Sequence, residues 1–250
     1  MLRKTNFSVF CRAVLFGLLG IILIPASALA FPKASTVNQG SNLVTMTWED
    51  QYGSVTINKW MLKSDGVTPA DWLGRTFPIY NNKTLQEVIN FIYCDPYATS
   101  EKDAKNRLNN FFSKAGFPSQ VGHSGGYMGY ISGNTYDQMP DQHLHGMDYA
   151  YSDGSPLALN NHGRVFGPYY TGKMYVFIAA LSREAPNTHD RTHDFVSFNE
   201  ARDTLGTDLR LKAGFDFSDN LQLFNQIPST DPSKTTGDHD EYARHVWAPK

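Results

Sequence analysis

The stretch Tyr175-Val176-Phe177-Ile178-Ala179-Ala180-Leu181 forms most of the longest apolar run after the first thirty residues of the chain. A short run of aromatic and aliphatic side chains is typical of a strand in the middle of a sheet. We therefore predict that it belongs to the central strand of the fold. The chain before it is dense in Gly, Tyr and Asn and alternates in the manner of short strands. The predicted strands are residues 127–132, 143–151, 164–170 and 173–182, the last of which contains the apolar run.

A β-hairpin is predicted nearer the N-terminus. Apolar and polar residues alternate between positions 44 and 59, which is the period of strands with one buried face. Residues 50–53 read Asp-Gln-Tyr-Gly and supply a turn between the two alternating segments.

Three capping boxes predict the starts of three helices. In each box, a hydroxyl and a carboxylate three residues apart can satisfy free amides of the first helical turn. Gly116 and Gly214 are suited to end the second and third helices. The boxes are Thr84 with Glu87, Ser100 with Asp103, and Ser197 with Glu200. The order of hairpin, helices, β-meander and helix predicts an α+β fold, a single domain with a mainly antiparallel sheet and about three helices.

The N-terminus has the pattern of an export signal. Three basic residues stand within the first twelve positions, residues 13–24 are unbroken apolar, and Pro25 ends that run. Residues 28–30 read Ala-Leu-Ala, the small-residue pattern that a signal peptidase accepts. We predict cleavage after Ala30 and a mature protein that is periplasmic or secreted. A retained anchor is the alternative, because residues 13–31 approach the ~20 residues that span a bilayer.

The mature chain is mildly acidic. Loss of the three basic residues lowers the Lys and Arg count from 22 to 19 against 24 Asp and Glu, a net charge of −5. This balance argues against nucleic acid as a partner, and no later apolar stretch is long enough for stable membrane insertion. Cys94 is the only cysteine after the signal, and we expect a buried, inert thiol. The predicted divisions are a signal peptide at 1–30, one α+β domain at 31–228 and a polar, mobile tail at 229–250.

The segment Gly122-His123-Ser124-Gly125-Gly126 matches the G-x-S-x-G pattern of a nucleophile elbow. That motif needs a buried strand before the serine and a helix after it. Neither is predicted from the flanking residues, so a glycine loop is favoured over a catalytic Ser124.

Two groups of histidines and carboxylates suit a divalent metal. His143 and His145 are two apart in a predicted strand, so their side chains share a face. His193 and Asp194 lie before the last predicted helix. Imidazole and carboxylate ligands together fit zinc or a similar ion, on which bound water ionises near neutral pH.

The same residues also have an ordinary structural interpretation. His-x-His pairs on strands are common without metal, and spacing alone does not bring the two groups together. If a metal is bound, Asp148 or Asp190 would serve as base or as a residue that orients a ligand. The remaining candidates, His162, His239 and His245, are expected at the surface.

Residues 120–214 resemble the LssY C-terminal domain, a family of bacterial envelope proteins whose activity is not established. The matching segments are Tyr130-Ile131-Ser132-Gly133 with Asp137, Gln142-His143-Leu144-His145, Gly163-Arg164, the 175–181 run, Thr192-His193-Asp194 and Glu200-Ala201-Arg202-Asp203. The family's Arg and Trp after the first histidine pair are missing here, as is one histidine of each pair. The resemblance implies an envelope location and directs attention to His143 and His193.

Two functions follow from these observations. The first is a non-catalytic envelope or extracellular binding module, whose partner is a small molecule, a lipid headgroup or a glycan. It is favoured because no complete catalytic motif is present. The alternative is a metal-dependent hydrolase, most plausibly of phosphoesters, that uses the histidine groups. Turnover of an ester or phosphoester would separate the two.

Overall fold

The computed structural model describes residues 33–38, 45–50, 52–140, 143–144, 147–187 and 192–250. The predicted export signal, residues 1–30, lies outside these residues. The strands are β1 (Lys33–Asn38), β2 (Thr45–Asp50), β3 (Gly53–Asn58), β4 (Asp71–Phe77), β5 (Lys83–Gln86), β6 (Phe91–Asp95), β7 (Ser119–His123), β8 (Met128–Ile131), β9 (Asn134–Met139), β10 (His143–Leu144), β11 (Met147–Ser152), β12 (Asn160–Tyr170), β13 (Tyr175–Asn187), β14 (Thr192–Ser197), β15 (Asp216–Gln222), β16 (Lys234–Thr235) and β17 (Tyr242–Trp247). The helices are α1 (Glu101–Ala115) and α2 (Phe198–Ala213), with a 3-10 turn at Pro78–Tyr80.

The sheet is larger, and the helical content smaller, than the sequence predicts. Within the described residues, 14 strands form one sheet in the order β1-β2-β3-β8-β9-β12-β13-β6-β17-β15, with β7, β10, β11 and β14 attached beside this path. A second sheet has the order β16-β5-β4. The large sheet curls into a half-barrel. The predicted α+β fold with about three helices is therefore wrong, because the molecule is mostly sheet with two α-helices in its described part.

The helix predicted from Thr84 is replaced by strands β5 and β6. All five residues of β6 are buried, and β6 pairs with β13 on one side and β17 on the other. A one-faced helix cannot bury five consecutive side chains, whereas an internal strand with both faces covered can. Long-range pairing thus overrides the local capping signal.

The other two capping boxes open helices as predicted. The Ser100 hydroxyl accepts a hydrogen bond from the Asp103 amide and begins α1, and Ser197 does the same for α2. Gly116 and Gly214 end the helices with φ of 91° and 77°, a backbone conformation that favours glycine. The hairpin β2–β3 and the strand β13 are also where the sequence predicts them.

The central strand β13 is apolar because it is buried on both faces. Phe177, Ala179 and Leu181 pack with α1 and α2 in one core, and Ile178 and Ala180 lie in a second core on the opposite face. All described strand pairings are antiparallel except β6 with β17 and β5 with β16.

Two other segments differ from the sequence prediction. Residues 143–151 do not form one strand, because β10 and β11 pair with each other, with His143 opposite Asp148. The polar segment 229–250 contains β16 and β17, and Val246 of β17 is buried opposite Tyr93. The last residues of the described chain therefore belong to the large sheet.

Candidate functional site

A group of polar side chains occupies the face of the sheet that lies away from the helices. On this face, the apolar row of β13 changes after Ala180 to Ser182 and then Glu184. Ala180 is opposite Arg164 of β12, and Ser182 is opposite His162. Residues two apart on a strand share a face, so the two strands together present a polar patch at one end of an apolar surface. We call the following set the polar cluster: Glu87, His123, Ser124, Gln138, His162, Arg164, Glu184 and His193.

Glu184 links two histidines of the cluster. Its Oε1 lies 3.1 Å from His162 Nε2, and its Oε2 lies 3.1 Å from His193 Nδ1. His193 Nδ1 donates a hydrogen bond to Glu184, whereas His162 Nε2 also lies 3.4 Å from Arg164 Nη1, a group that can only donate. The side chain of Glu184 is almost fully buried, so its contacts with the two imidazoles are shielded from water.

His193 has both ring nitrogens engaged. Nδ1 donates to Glu184, and Nε2 donates to the carbonyl oxygen of Pro156. The hydrogen bond to Glu184 is the main cause that raises the His193 pKa above its usual value, and burial opposes it. In this conformation the ring has no lone pair to offer a metal ion.

His123 and His162 are neutral histidines in a buried environment. Their ring centroids are 4.8 Å apart. Burial, and secondarily the charge of Arg164, lowers the pKa of His123 to about 4 and that of His162 well below its usual value. His123 Nε2 and His162 Nδ1 are buried without a hydrogen-bond partner in the part of the chain that the structure describes.

Arg164 is the cationic centre of the cluster and is only 5% exposed. Its Nη2 donates to the Ser124 hydroxyl at 2.8 Å, and its Nε donates to the Ser124 carbonyl at 3.3 Å. The guanidinium carbon lies 4.9 Å from the centroid of the Tyr127 ring, within the range of a cation–π contact. Among the described residues, no carboxylate lies within the 4.0 Å of an ion pair with this guanidinium.

Glu87 adds a carboxyl group that is 4% exposed. Its pKa is raised to about 7, chiefly by burial; the charge of Arg164 opposes this rise, and the charges of Glu184 and Asp71 contribute to it. A large share of the molecules therefore carries a neutral carboxyl at neutral pH. Perturbed carboxyls of this kind gather at functional sites, although structural networks also contain them.

Two loops cover the cluster on its solvent side. The first loop, residues 124–127, follows β7 and carries Ser124, which is exposed; Gly122 and Gly126 have φ of 108° and 77°. The second loop contains Pro156, whose Cγ would lie 3.2 Å from a Cβ on Gly122. Ser124 and the half-buried His193 are thus the points at which the cluster meets solvent.

The predicted metal ligands are only partly within the described structure. His145 and Asp190 lie outside it, as do the side chains of His143 and Asp148. The backbone places His143 opposite Asp148, and Asp148 opposite His123 of β7. No group of three or more His, Cys, Asp and Glu side chains within the described residues could hold a metal ion.

The structure does not bring Asp194 to His193. Asp194 Oδ1 lies 3.5 Å from Arg75 Nη2 and accepts a hydrogen bond from the Asn187 amide at 3.1 Å. Consecutive residues of a strand point to opposite faces, which separates Asp194 from the polar cluster.

Ser124 is not on a nucleophile elbow. Strand β7 ends at His123, one residue before it, and the chain continues into strand β8 rather than a helix. The described contacts of the Ser124 side chain are with Arg164, and no histidine is hydrogen-bonded to the hydroxyl. As predicted, the glycine motif is a loop.

Sequence reasoning missed most of the polar cluster. The prediction that His162, His239 and His245 lie at the surface is wrong, because each is 0% exposed. His239 Nε2 is 2.7 Å from Asn225 Oδ1, and His245 Nε2 is 3.3 Å from the sulfur of the buried Cys94. His162 and His245 are buried because they lie in the internal strands β12 and β17.

One sequence signal identifies part of the polar cluster. Residues two apart on a strand share a face, which is the reason for pairing His143 with His145. The same spacing pairs His162 with Arg164, and Ser182 with Glu184 at the end of the central strand.

Comparisons with known proteins do not identify the chain. No family model matches it, and no curated protein or solved structure matches it. The resemblance of residues 120–214 to the LssY C-terminal domain therefore stays a prediction. In the described part of the chain, neither helix combines the length and the apolar character needed to cross a bilayer.

Proposed function

We propose that the chain is an exported, non-catalytic binding module that holds a phosphate or phosphoester group of a small molecule at the polar cluster. The observation that carries this proposal is the hydrogen-bonding state of Arg164. A guanidinium has five N–H groups and binds oxyanions strongly when it is shielded from water. Arg164 is buried and directs two of these groups to Ser124.

A third N–H group, on Nη1, contacts His162 Nε2 at 3.4 Å. The two remaining N–H groups of Arg164, one on Nη1 and one on Nη2, have no acceptor among the described residues. Arg164 therefore keeps N–H donors for a ligand oxygen beside the exposed Ser124.

Neighbouring groups suit the same ligand. The Ser124 hydroxyl is both donor and acceptor, and the neutral form of Glu87 does not compete with an anion for Arg164. A partly charged Glu87 above neutral pH would weaken anion binding.

Export to the periplasm or beyond is supported by the N-terminal pattern that ends at Ala30. The resemblance to envelope proteins supports the same location. Both are sequence arguments, and the N-terminus of the mature protein tests them directly.

Isothermal titration calorimetry with inorganic phosphate and methyl phosphate tests the binding proposal. We expect Arg164→Gln to weaken binding by about tenfold or more, because a charge-assisted hydrogen bond is lost. Arg210→Gln, which removes one exposed charge from α2, is the matched control and should bind like the parent. Equal affinities of both variants, or no binding of either ligand by the parent, would refute the proposal.

A second candidate, the metal-dependent hydrolase, rests on a different observation. The backbone register aligns His143, Asp148 and His123 on three adjacent strands. Elemental analysis of protein purified without added metal would support this candidate if about one equivalent of zinc, iron or manganese is found and is lost in His143→Ala. Turnover of a phosphoester panel by the same preparation would replace the binding module as the leading function.

A further inference from the structure

Two buried polar atoms beside Arg164 have no hydrogen-bond partner in the described structure. They are Gln138 Oε1 and His162 Nδ1. Buried polar atoms are nearly always hydrogen-bonded, to the protein, to water or to a ligand. Their position next to a guanidinium with unused N–H groups makes them part of the same site.

The chemical role of Gln138 follows from its contacts. Its amide nitrogen donates to the carbonyl of Tyr149 at 2.9 Å and faces the carbonyl of Ser124 at 3.4 Å. The opposite orientation of the amide would place an oxygen against two carbonyl oxygens, so Oε1 is the free atom. Gln138 is 8% exposed and offers an acceptor.

His162 contributes a ring nitrogen. Its Nε2 contacts Arg164 Nη1 at 3.4 Å and Glu184 Oε1 at 3.1 Å, whereas Nδ1 has no partner in the described structure. His162 is 0% exposed, so Nδ1 is shielded from water and needs a hydrogen-bond partner.

Both residues adjoin the anion-binding groups. Gln138 Nε2 and Arg164 Nε direct their hydrogens to one carbonyl oxygen, that of Ser124. His162 touches Arg164 Nη1 through its ring. A ligand that presents an oxyanion to Arg164 therefore lies close to two buried polar atoms that need hydrogen-bond partners.

We infer that the ligand of the polar cluster is a phosphorylated polyol, whose phosphate contacts Arg164 and Ser124 and whose hydroxyl groups, which can both donate and accept, form hydrogen bonds with Gln138 and His162. This inference rests on the proposed function and specifies its ligand class. A simple phosphate would leave both of these buried groups without a hydrogen-bond partner, and that is a recognised basis for selectivity.

The polyol phosphate could be free or form the headgroup of a lipid. Leu157 and Leu159 are 84% and 50% exposed, and they belong to the same loop as Pro156, which lies beside Gly122. A lipid would place its acyl chains near these side chains, so the test includes a lipid with the same headgroup chemistry.

Calorimetric titration of the unmodified chain with glycerol 3-phosphate and propyl phosphate tests the inference. The two ligands share a three-carbon skeleton and differ in their hydroxyl groups. We expect glycerol 3-phosphate to bind about tenfold more tightly, as one or two satisfied hydrogen bonds allow. Gln138→Met should reduce this preference, whereas the control Gln120→Met should retain it.

The outcomes separate the two claims. If both ligands bind equally, the ligand class is wrong while the phosphate site stands. If neither ligand binds, the proposed function fails together with the inference.

Titration with monomeric dihexanoyl phosphatidylglycerol decides whether the ligand is a lipid or a free polyol phosphate. Tighter binding than glycerol 3-phosphate assigns a lipid headgroup, and weaker binding assigns the free polyol phosphate. Thermal unfolding of Gln138→Met checks its fold, and the ligand comparison on the parent chain does not depend on any variant.

Discussion

Replacement of Glu87 by Gln should change how stability depends on pH. Glu87 is 4% exposed, and burial raises its pKa from 4.5 to about 7. The folded chain therefore binds this proton more tightly than the unfolded chain does. Between these two pH values, unfolding releases the proton, and the free energy of unfolding falls as pH rises.

The magnitude follows from the size of the pKa change. A slope of ~1.4 kcal/mol per pH unit over this window amounts to roughly 3 kcal/mol of stability lost between pH 4.5 and 7. The stabilisation by the protonated carboxyl is fully present below pH 4.5, and no further loss is expected well above pH 7. Gln has nearly the same shape, carries no charge and does not titrate, so Glu87→Gln should lack this loss.

Urea unfolding of the parent and of Glu87→Gln, measured at half-unit steps from pH 4 to pH 8.5, gives the comparison. We expect the stability of the variant relative to the parent to rise by about 2–3 kcal/mol across the window. Glu101→Gln, which removes an exposed carboxylate from α1, controls for the change in net charge. Parallel curves for parent and Glu87→Gln would refute the reasoning, because they would mean that the Glu87 pKa is the same in the folded and the unfolded chain.

Three other predictions concern the fold and the mature chain. Gly163→Ala should lower the urea midpoint by an amount equal to about 1–3 kcal/mol, because the new Cβ would lie 2.1 Å from Leu181 Cδ2; an unchanged midpoint would contradict the close packing of β12 on β13. Asp238→Ala should cost about 1–2 kcal/mol in the same assay, since the carboxylate accepts from the Phe198 amide at 2.8 Å and caps α2; no loss would mean that the C-terminal segment does not support the helix. N-terminal sequencing of the exported protein should begin at Phe31, and a first residue at or near Met1 would instead support a retained anchor.

Local patterns predicted the elements whose conformation depends on neighbours in the chain. The capping residues Ser100 and Ser197 mark α1 and α2, and the apolar run of β13 marks the middle of the sheet. The segment after Thr84 carries an equally good capping pattern, yet it forms strands because β6 lies between β13 and β17. Pairing partners that lie about 80 and 150 residues away leave no local signal.

The candidate site was less accessible to sequence reasoning. The sequence identifies His193 as a candidate metal ligand. It does not identify the neighbours of His193, Glu184 and His162, because nothing in the sequence shows that these polar strand residues come together. Only the fold shows that this end of the sheet is covered by the loops at Gly122 and Pro156. The chemical type of each side chain is known from the sequence. Its burial, which shifts the pKa values and strengthens the electrostatic interactions, is known only from the fold.

The central claim is that Arg164 holds a phosphate group of the ligand, and nuclear magnetic resonance of its side chain tests it most directly. The Nε–H signal of Arg164 can be assigned by its loss in Arg164→Gln. On addition of methyl phosphate, we expect this signal to shift and to saturate at the affinity found by calorimetry. A signal that stays in place while signals of exposed lysines shift would contradict the claim and leave Arg164 as a structural residue.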